Sequence, residues 1–383
     1  MKFKRVIIFI ILYLFIFNRS TWGANPPNIG AKAGILMDVN SCRVLYKKNI
    51  YEKRPMASTT KIMTAIIALE NGDLDEIITI SKKAASTEGS SIWLEPGERL
   101  TLEELLYGLM LNSGNDAAVA IAEHIGGSVE GFSKLMNNKA REIGAINTNF
   151  TNPHGLPDDR HYTTVFDLAL IARYALTNPD FKKIVSTQKK TITWYGKEWD
   201  RQLYNKNKLL WQFEGADGIK TGYTRKAGRC LVASATRNHW QLLSVVLASP
   251  SIFDESKALL EYGFNNYTPV QIINKEKSVK TVKVKDGTDD TLWAFSKRDI
   301  IIPLSETEKD EILTLVETPD YIIAPIKEGQ VIGQIKVMLN GEILGIAPLV
   351  AQKDIFKKKK FFDFKFDIFR KTINNLIKQN AMY

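Results

Sequence analysis

Cysteine is nearly absent, with only Cys42 and Cys230 in 383 residues. Two thiols so far apart form no disulfide framework. Two buried free thiols is the favoured reading over a pair closed in an oxidising compartment. Histidine is as scarce, and His124, His154, His161 and His239 show no ligand spacing, so no metal and no cofactor are assigned. No internal repeat is found, and no low-complexity stretch beyond one lysine run near the C-terminus. An apolar fraction of 44% and a charged fraction of 25% exclude a disordered or collagenous chain. A length of 383 residues is too great for one ordinary domain and enough for two.

The charge is +10, but it is unevenly placed. Residues 1–23 carry four basic groups and no acids, and residues 351–383 carry nine basic groups and three acids. The body between them is therefore close to neutral, which gives no nucleic-acid face and no nucleic-acid partner. The N-terminus has Lys2, Lys4 and Arg5, then twelve apolar residues from Val6 to Phe17, then small and polar residues through Ala24. A basic head, a short apolar stretch and small residues make a secretory signal, and twelve residues fall short of the ~20 of a spanning helix. The mature chain is expected to begin near residue 24 or 25.

Residues 28–265 mix helices and strands. Ala33–Asp38 and Arg43–Tyr46 read as strands, and Ser58–Glu70, Leu102–Leu111, Asp116–Ile125 and Thr164–Leu176 as helices. Ile219–Thr224, Cys230–Thr236 and Gln241–Ala248 are β-rich runs joined by short turns, which implies antiparallel neighbours. Strands, helices, then strands predict one antiparallel sheet built from both ends of the domain, with helices packed on it. From residue 266 to 350, alternating runs and turns at Asp286-Gly287 and Asn340-Gly341 read as a small all-β domain.

Three motifs stand in order: Ser58-Thr59-Thr60-Lys61, Ser113-Gly114-Asn115 and Lys220-Thr221-Gly222. Each alone is weak; together they are strong. Residues i and i+3 share a helix face, so Lys61 reaches the Ser58 hydroxyl. A hydroxyl needs an adjacent base to act as a nucleophile, and lysine is a base near neutral pH only if burial or neighbouring cations lower its pKa. Lys220 can supply that cation. Ser58 at a helix start offers its N–H as half of an oxyanion hole, and Tyr223 the other half. Gly222 permits close backbone approach. Ser113 can relay a proton to the leaving amine, Asn115 can bond Lys61 and a substrate amide, and Lys220 with Thr221 can hold a terminal carboxylate. The competing reading is a helix cap, a solvated lysine, a turn and a strand end, all four by coincidence.

These motifs, with Arg54-Pro55-Met56-Ala57 before Ser58, Asn152-Pro153-His154-Gly155-Leu156-Pro157-Asp158 and Asp217-Gly218-Ile219 before Lys220, resemble the low-molecular-mass penicillin-binding proteins, serine D-alanyl-D-alanine carboxypeptidases of the S11 type. The resemblance spans about residues 28–265, and the β-rich stretch resembles that family's accessory domain. It implies an α+β penicillin-recognising serine hydrolase (β-lactamase/transpeptidase-like) that removes the terminal D-Ala from peptidoglycan pentapeptide stems through an acyl-enzyme. It also implies sensitivity to β-lactams. Two departures stand out: some members carry His where Tyr223 stands, and some place arginine where Ser249-Pro250-Ser251 follows the last strand. Lys206 falls where relatives have another basic substrate-binding residue. A class A β-lactamase would need a Glu-x-x-Leu-Asn loop that is not found here. A transpeptidase, an endopeptidase or a non-catalytic wall-binding protein remain as alternatives.

The tail has Lys357–Lys360 followed by Phe362, Phe366, Phe369, Ile373, Leu376 and Ile377 at helical spacing. An aromatic face beside cations suits an in-plane amphipathic helix on an anionic membrane surface; a packed strand or helix is the alternative. The expected organisation is a signal peptide at 1–24, a catalytic domain at 25–265, an all-β domain at 266–350 and a membrane-anchoring tail at 351–383. Such a chain is secreted across the cytoplasmic membrane and held peripherally on its outer face.

Overall fold

The computed structural model describes residues 25–358 together with Arg370, Lys371 and Ile373. The expected secretory segment and most of the expected amphipathic helix lie outside the described residues. The chain divides into two units between Thr268 and Pro269.

The first unit is built on a five-stranded antiparallel sheet. Its strands are β1 (Ala33–Asp38), β2 (Val44–Lys48), β3 (Ala216–Thr224), β4 (Gly228–Arg237) and β5 (Trp240–Ser249), in the order β2-β1-β5-β4-β3. The two ends of the unit meet in this sheet, as the sequence pattern predicts. All six residues of β1 are buried, because the sheet is covered on both faces. Ile35 and Met37 face the helical layer, while Leu36 faces the opposite cluster with Leu259 and Leu260 of the helix Ile252–Asn266. β3 is an edge strand, which leaves one side of Lys220-Thr221-Gly222-Tyr223 without a partner strand.

The helical layer centres on α1 (Lys61–Asn71), whose residues Lys61 to Ala68 are all buried. Around it lie α2 (Leu102–Leu111), α3 (Asn115–Gly126), α4 (Val129–Ile143), α5 (Val165–Ala175) and α6 (Pro179–Ser186). Ser58 does not belong to α1, contrary to the expected helix over Ser58–Glu70. It sits in a 3₁₀ turn, Ala57–Thr60, that leads into the helix. The cause is local: Thr59 Oγ1 donates to Met56 O at 2.7 Å and Thr60 Oγ1 donates to Ala57 O at 2.8 Å. Side-chain hydroxyls thus take carbonyls that an α-turn would use.

The second unit is an all-β body with a six-stranded sheet. Its strands are β6 (Ser278–Lys285), β7 (Thr291–Ser296), β8 (Leu313–Glu317), β9 (Tyr321–Ile323), β10 (Val331–Leu339) and β11 (Glu342–Ala351), ordered β8-β10-β11-β7-β6-β9. The Asn340-Gly341 hairpin joins β10 to β11 with both residues at positive φ, 49° and 82°. Ala351 and Ile355 are buried in this unit's core, so its packing continues past residue 350.

Gly155 lies directly against the 3₁₀ turn that holds Ser58. Its φ is +86°, and a Cβ there would stand 1.9 Å from the Ala57 carbonyl oxygen. Gly155→Ala is therefore expected to destabilise the first unit by ~1–3 kcal/mol through overpacking. A drop in its urea midpoint, with catalytic activity falling in parallel, is the expected result.

Candidate active site

The 3₁₀ turn delivers Ser58 and the first residue of α1 delivers Lys61, so the two side chains are one turn apart on the same face. Lys61 Nζ lies 3.1 Å from Ser58 Oγ, 2.7 Å from Asn115 Oδ1 and 2.8 Å from the His154 carbonyl. The Asn115 amide is oriented by its own Nδ2, which donates to Glu88 O at 2.6 Å, so Oδ1 faces the lysine. Asn115 Oδ1 and His154 O can only accept. A neutral amine donates one hydrogen to each and turns its lone pair toward the Ser58 hydroxyl.

The electrostatics favour that neutral form. Lys61 is 0% exposed, and its pKa is lowered well below 10.5, first by burial, then by Lys220 and Lys206; Asp116 opposes weakly. Burial, with Lys206 beside it, also brings the Lys220 ammonium down to about 7. Three lysines close together, with no carboxylate in salt-bridge contact with them among the described residues, cannot all hold protons cheaply.

Ser113 completes the centre from the loop between α2 and α3. It sits at φ +65°, a strained region for a residue with a Cβ, and its buried hydroxyl has no hydrogen-bond partner among the described residues. The loop is fixed around it. Asp116 accepts from the N–H groups of Ile92 and Leu94 and from Ser91 Oγ, and Asn115 N–H donates to Ser90 O at 2.7 Å. Farther out, Arg201 ties the same segment down by bonding both Glu98 oxygens and the Trp93 carbonyl.

A cavity of about 600 Å³ opens over Ser58 and Ser113. Thr221, Gly222 and Tyr223 of β3 form one wall. Gly222 is required there, since a Cβ would come within 3.0 Å of the Ser58 nitrogen. Lys220 is buried at 1% exposure and donates to Thr221 O at 3.1 Å. Ser58, Lys61, Ser113, Asn115, Lys220, Thr221, Gly222 and Tyr223 are thus all brought to one place.

Sequence reasoning missed part of that cavity. Arg229, Ile252 and Phe253 line its far end. Arg229 follows the turn after β3 and pairs across the sheet with both Tyr223 and Ser249, next to a bulge in β5 at Ala248, which has φ +51°. The motif spacing carries no signal for it. Cys42 and Cys230 are both free; Cys230 is buried, whereas Cys42 is only half-buried.

Such a fold, with a serine served by a buried lysine, defines a penicillin-recognising serine hydrolase. Comparison with known proteins narrows the class. A family model described as D-alanyl-D-alanine carboxypeptidase matches residues 20–251, and one for the penicillin-binding protein 5 C-terminal domain matches residues 267–357. The D-alanyl-D-alanine carboxypeptidase DacF of Bacillus subtilis is 35% identical over 345 residues, 87% of this chain and 88% of that protein. The solved structure of penicillin-binding protein 5 from Haemophilus influenzae superposes with a TM-score of 0.77 at 32% identity, covering 88% of this chain and all of that one. A mutant of the Streptomyces K15 DD-transpeptidase matches with a TM-score of 0.60 at 36% identity, over 62% of this chain and 99% of that one. The chain belongs to the D-alanyl-D-alanine carboxypeptidase family of serine peptidases.

Two histidines under the site stay neutral. Burial pushes His161 down to about 4, against a smaller opposing pull from Asp158. Burial, then Lys61 and His161, pushes His154 down to about 3. Both take up protons near 6.5 once unfolded, so the unfolded state binds more protons between these values. Their stabilisation is complete above pH 6.5 and is lost as pH falls, through about 4 for His161 and about 3 for His154. The urea midpoint of the enzyme is expected to drop over that interval, and His161→Gln to flatten the drop.

Proposed function

We propose that Ser58 is the acylated nucleophile and Lys61 its general base in removal of the terminal D-Ala from peptidoglycan stem peptides. The observation that carries this is the Lys61 amine, held between Ser58 Oγ and two groups that can only accept hydrogen bonds. Ser58 Oγ attacks the carbonyl of the penultimate D-Ala while its proton passes to Lys61 Nζ. The tetrahedral oxyanion is received by the N–H groups of Ser58 and Tyr223. As the C–N bond breaks, the proton moves from Lys61 through the Ser113 hydroxyl to the departing amine. Water then attacks the ester, with Lys61 as base again, and releases the shortened peptide.

The terminal carboxylate is received by Thr221 and Arg229. Arg229 is exposed in the same cavity and presents a planar guanidinium that suits a carboxylate, whereas burial holds Lys220 down to about 7. The Arg229 guanidinium rests on Pro250 O at 3.3 Å, in the segment where some relatives place arginine. Lys220 then acts chiefly on the pKa of Lys61. β-Lactams, which carry a carboxylate and a strained amide, acylate the same serine.

The remaining organisation is also proposed: a secretory segment at 1–24, a catalytic domain from 25, an all-β domain from about 266, and a basic tail that lies on an anionic membrane. Burial of Ile355 in the all-β unit supports a tail that begins later than position 351. No helix among the described residues is long and apolar enough to cross a membrane.

D-Ala release from diacetyl-Lys-D-Ala-D-Ala by residues 25–358 is the test. Wild type is expected to release D-Ala, and Ser58→Ala and Lys61→Arg to lose at least ~10³-fold in kcat, since arginine cannot give up its proton. Arg229→Gln is expected to raise KM ~10-fold or more with little change in kcat. Penicillin labelling without D-Ala release would point instead to an amine acceptor and transpeptidation.

A further inference from the structure

Behind the nucleophile turn lies a chain of hydrogen bonds that the reaction as described does not use. Thr151 N–H donates to His161 Nδ1 at 3.1 Å. A backbone N–H can only donate, so Nδ1 is the acceptor and the ring hydrogen sits on Nε2. Nε2 lies 2.8 Å from Thr60 Oγ1 and donates to it. Thr60 Oγ1, with that lone pair occupied, donates to Ala57 O at 2.8 Å. His161 is 3% exposed and Thr60 0% exposed, so water does not compete for either link.

The chain ends on a peptide of consequence. Ala57 C=O and Ser58 N–H belong to the same planar trans unit and point in opposite directions. Anchoring the oxygen on one side therefore aims the N–H on the other. The Ser58 nitrogen faces the cavity wall at Gly222, and its N–H has no hydrogen-bond partner among the described residues. Ala57 has φ +49°, which an alanine does not keep without outside support. Gly155 closes over the Ala57 oxygen and leaves no room for it to swing.

We propose that His161, acting through Thr60, is a positioning residue for the oxyanion hole: it fixes the Ala57–Ser58 peptide so that the Ser58 N–H meets the reacting carbonyl oxygen. The role is distinct from that of Lys61, because no link in the chain touches the amine. It rests on Ser58 being the acylated group.

The test compares His161→Leu, Thr60→Val and His161→Gln with wild type. For His161→Leu and Thr60→Val, kcat for D-Ala release is expected to fall ~10- to 100-fold, because one oxyanion donor is misaimed rather than lost, while KM stays within about twofold. The infrared ester carbonyl band of their penicillin acyl-enzymes is expected to move to higher frequency, as a more weakly hydrogen-bonded carbonyl does. His161→Gln, which can restore a side-chain N–H toward Thr60, is expected to recover most of both. A folded His161→Leu enzyme with wild-type kcat and an unshifted band overturns the proposal. If His161→Leu does not fold, Thr60→Val decides by the same two readouts. Wild type that forms no ester at Ser58 overturns the reading of the nucleophile, and the proposal with it.

Discussion

The amine of Lys61 is shut away from water among oxygen atoms, and no carboxylate among the described residues pairs with it. A protonated lysine at 0% exposure, with two more lysines near enough to repel it, is costly. The neutral form is at home there: two hydrogens reach Asn115 Oδ1 and His154 O, and the lone pair reaches Ser58. Most features around the site serve this one condition. The helical layer on every side of α1 removes water from Lys61. Asp116 is turned toward the loop N–H groups of Ile92 and Leu94 and does not pair with the amine. Lys220 arrives on the edge of the sheet as a second charge.

The fold delivers these parts by different means. Helix α1 and its 3₁₀ entry carry Ser58 and Lys61, the proposed nucleophile and base, on one continuous piece of chain. The loop after α2 carries Ser113 and Asn115 under strain. Strand β3, at the edge of the sheet, has its open side toward the cavity at Thr221, Gly222 and Tyr223. The hydroxyls of Thr59 and Thr60 tighten the chain just ahead of α1 into a 3₁₀ turn, and the Ser58 N–H, like other first N–H groups of a helix, has no intrahelical acceptor.

Much of this was legible from residue types at fixed spacing. The sheet closed from both ends followed from apolar runs flanking a helical middle, and the three motifs, with Tyr223 just after the third, located the eight residues that the structure gathers. Helices α4 and α6 were not named, although their ends are well marked. Ser128 caps one and Gly144 ends it with φ +89°, while Asn178 caps the other ahead of Pro179. Their apolar faces are narrow, with Phe132, Met136 and Ala140 in one and Phe181, Ile184 and Val185 in the other, and most of the remaining positions of each helix are polar or charged. Arg229 and His161 were illegible for a different reason. Each is placed by a contact far away in sequence: Arg229 by Ser249 across a bulged strand, His161 by Thr60 across 101 residues. The 3₁₀ start of α1 was hidden because hydroxyl-to-carbonyl bonds leave the helical periodicity unchanged.

The most direct test of the account is a titration of Lys61 itself, by nuclear magnetic resonance of isotope-labelled lysine side chains in the Ser58→Ala enzyme, with Lys61→Arg identifying the signal. The account predicts a midpoint far below the ordinary 10.5, rising when Lys220 is replaced by an uncharged residue. A signal that titrates near 10.5 and ignores Lys220 would contradict it, since an amine that keeps its proton cannot take one from Ser58.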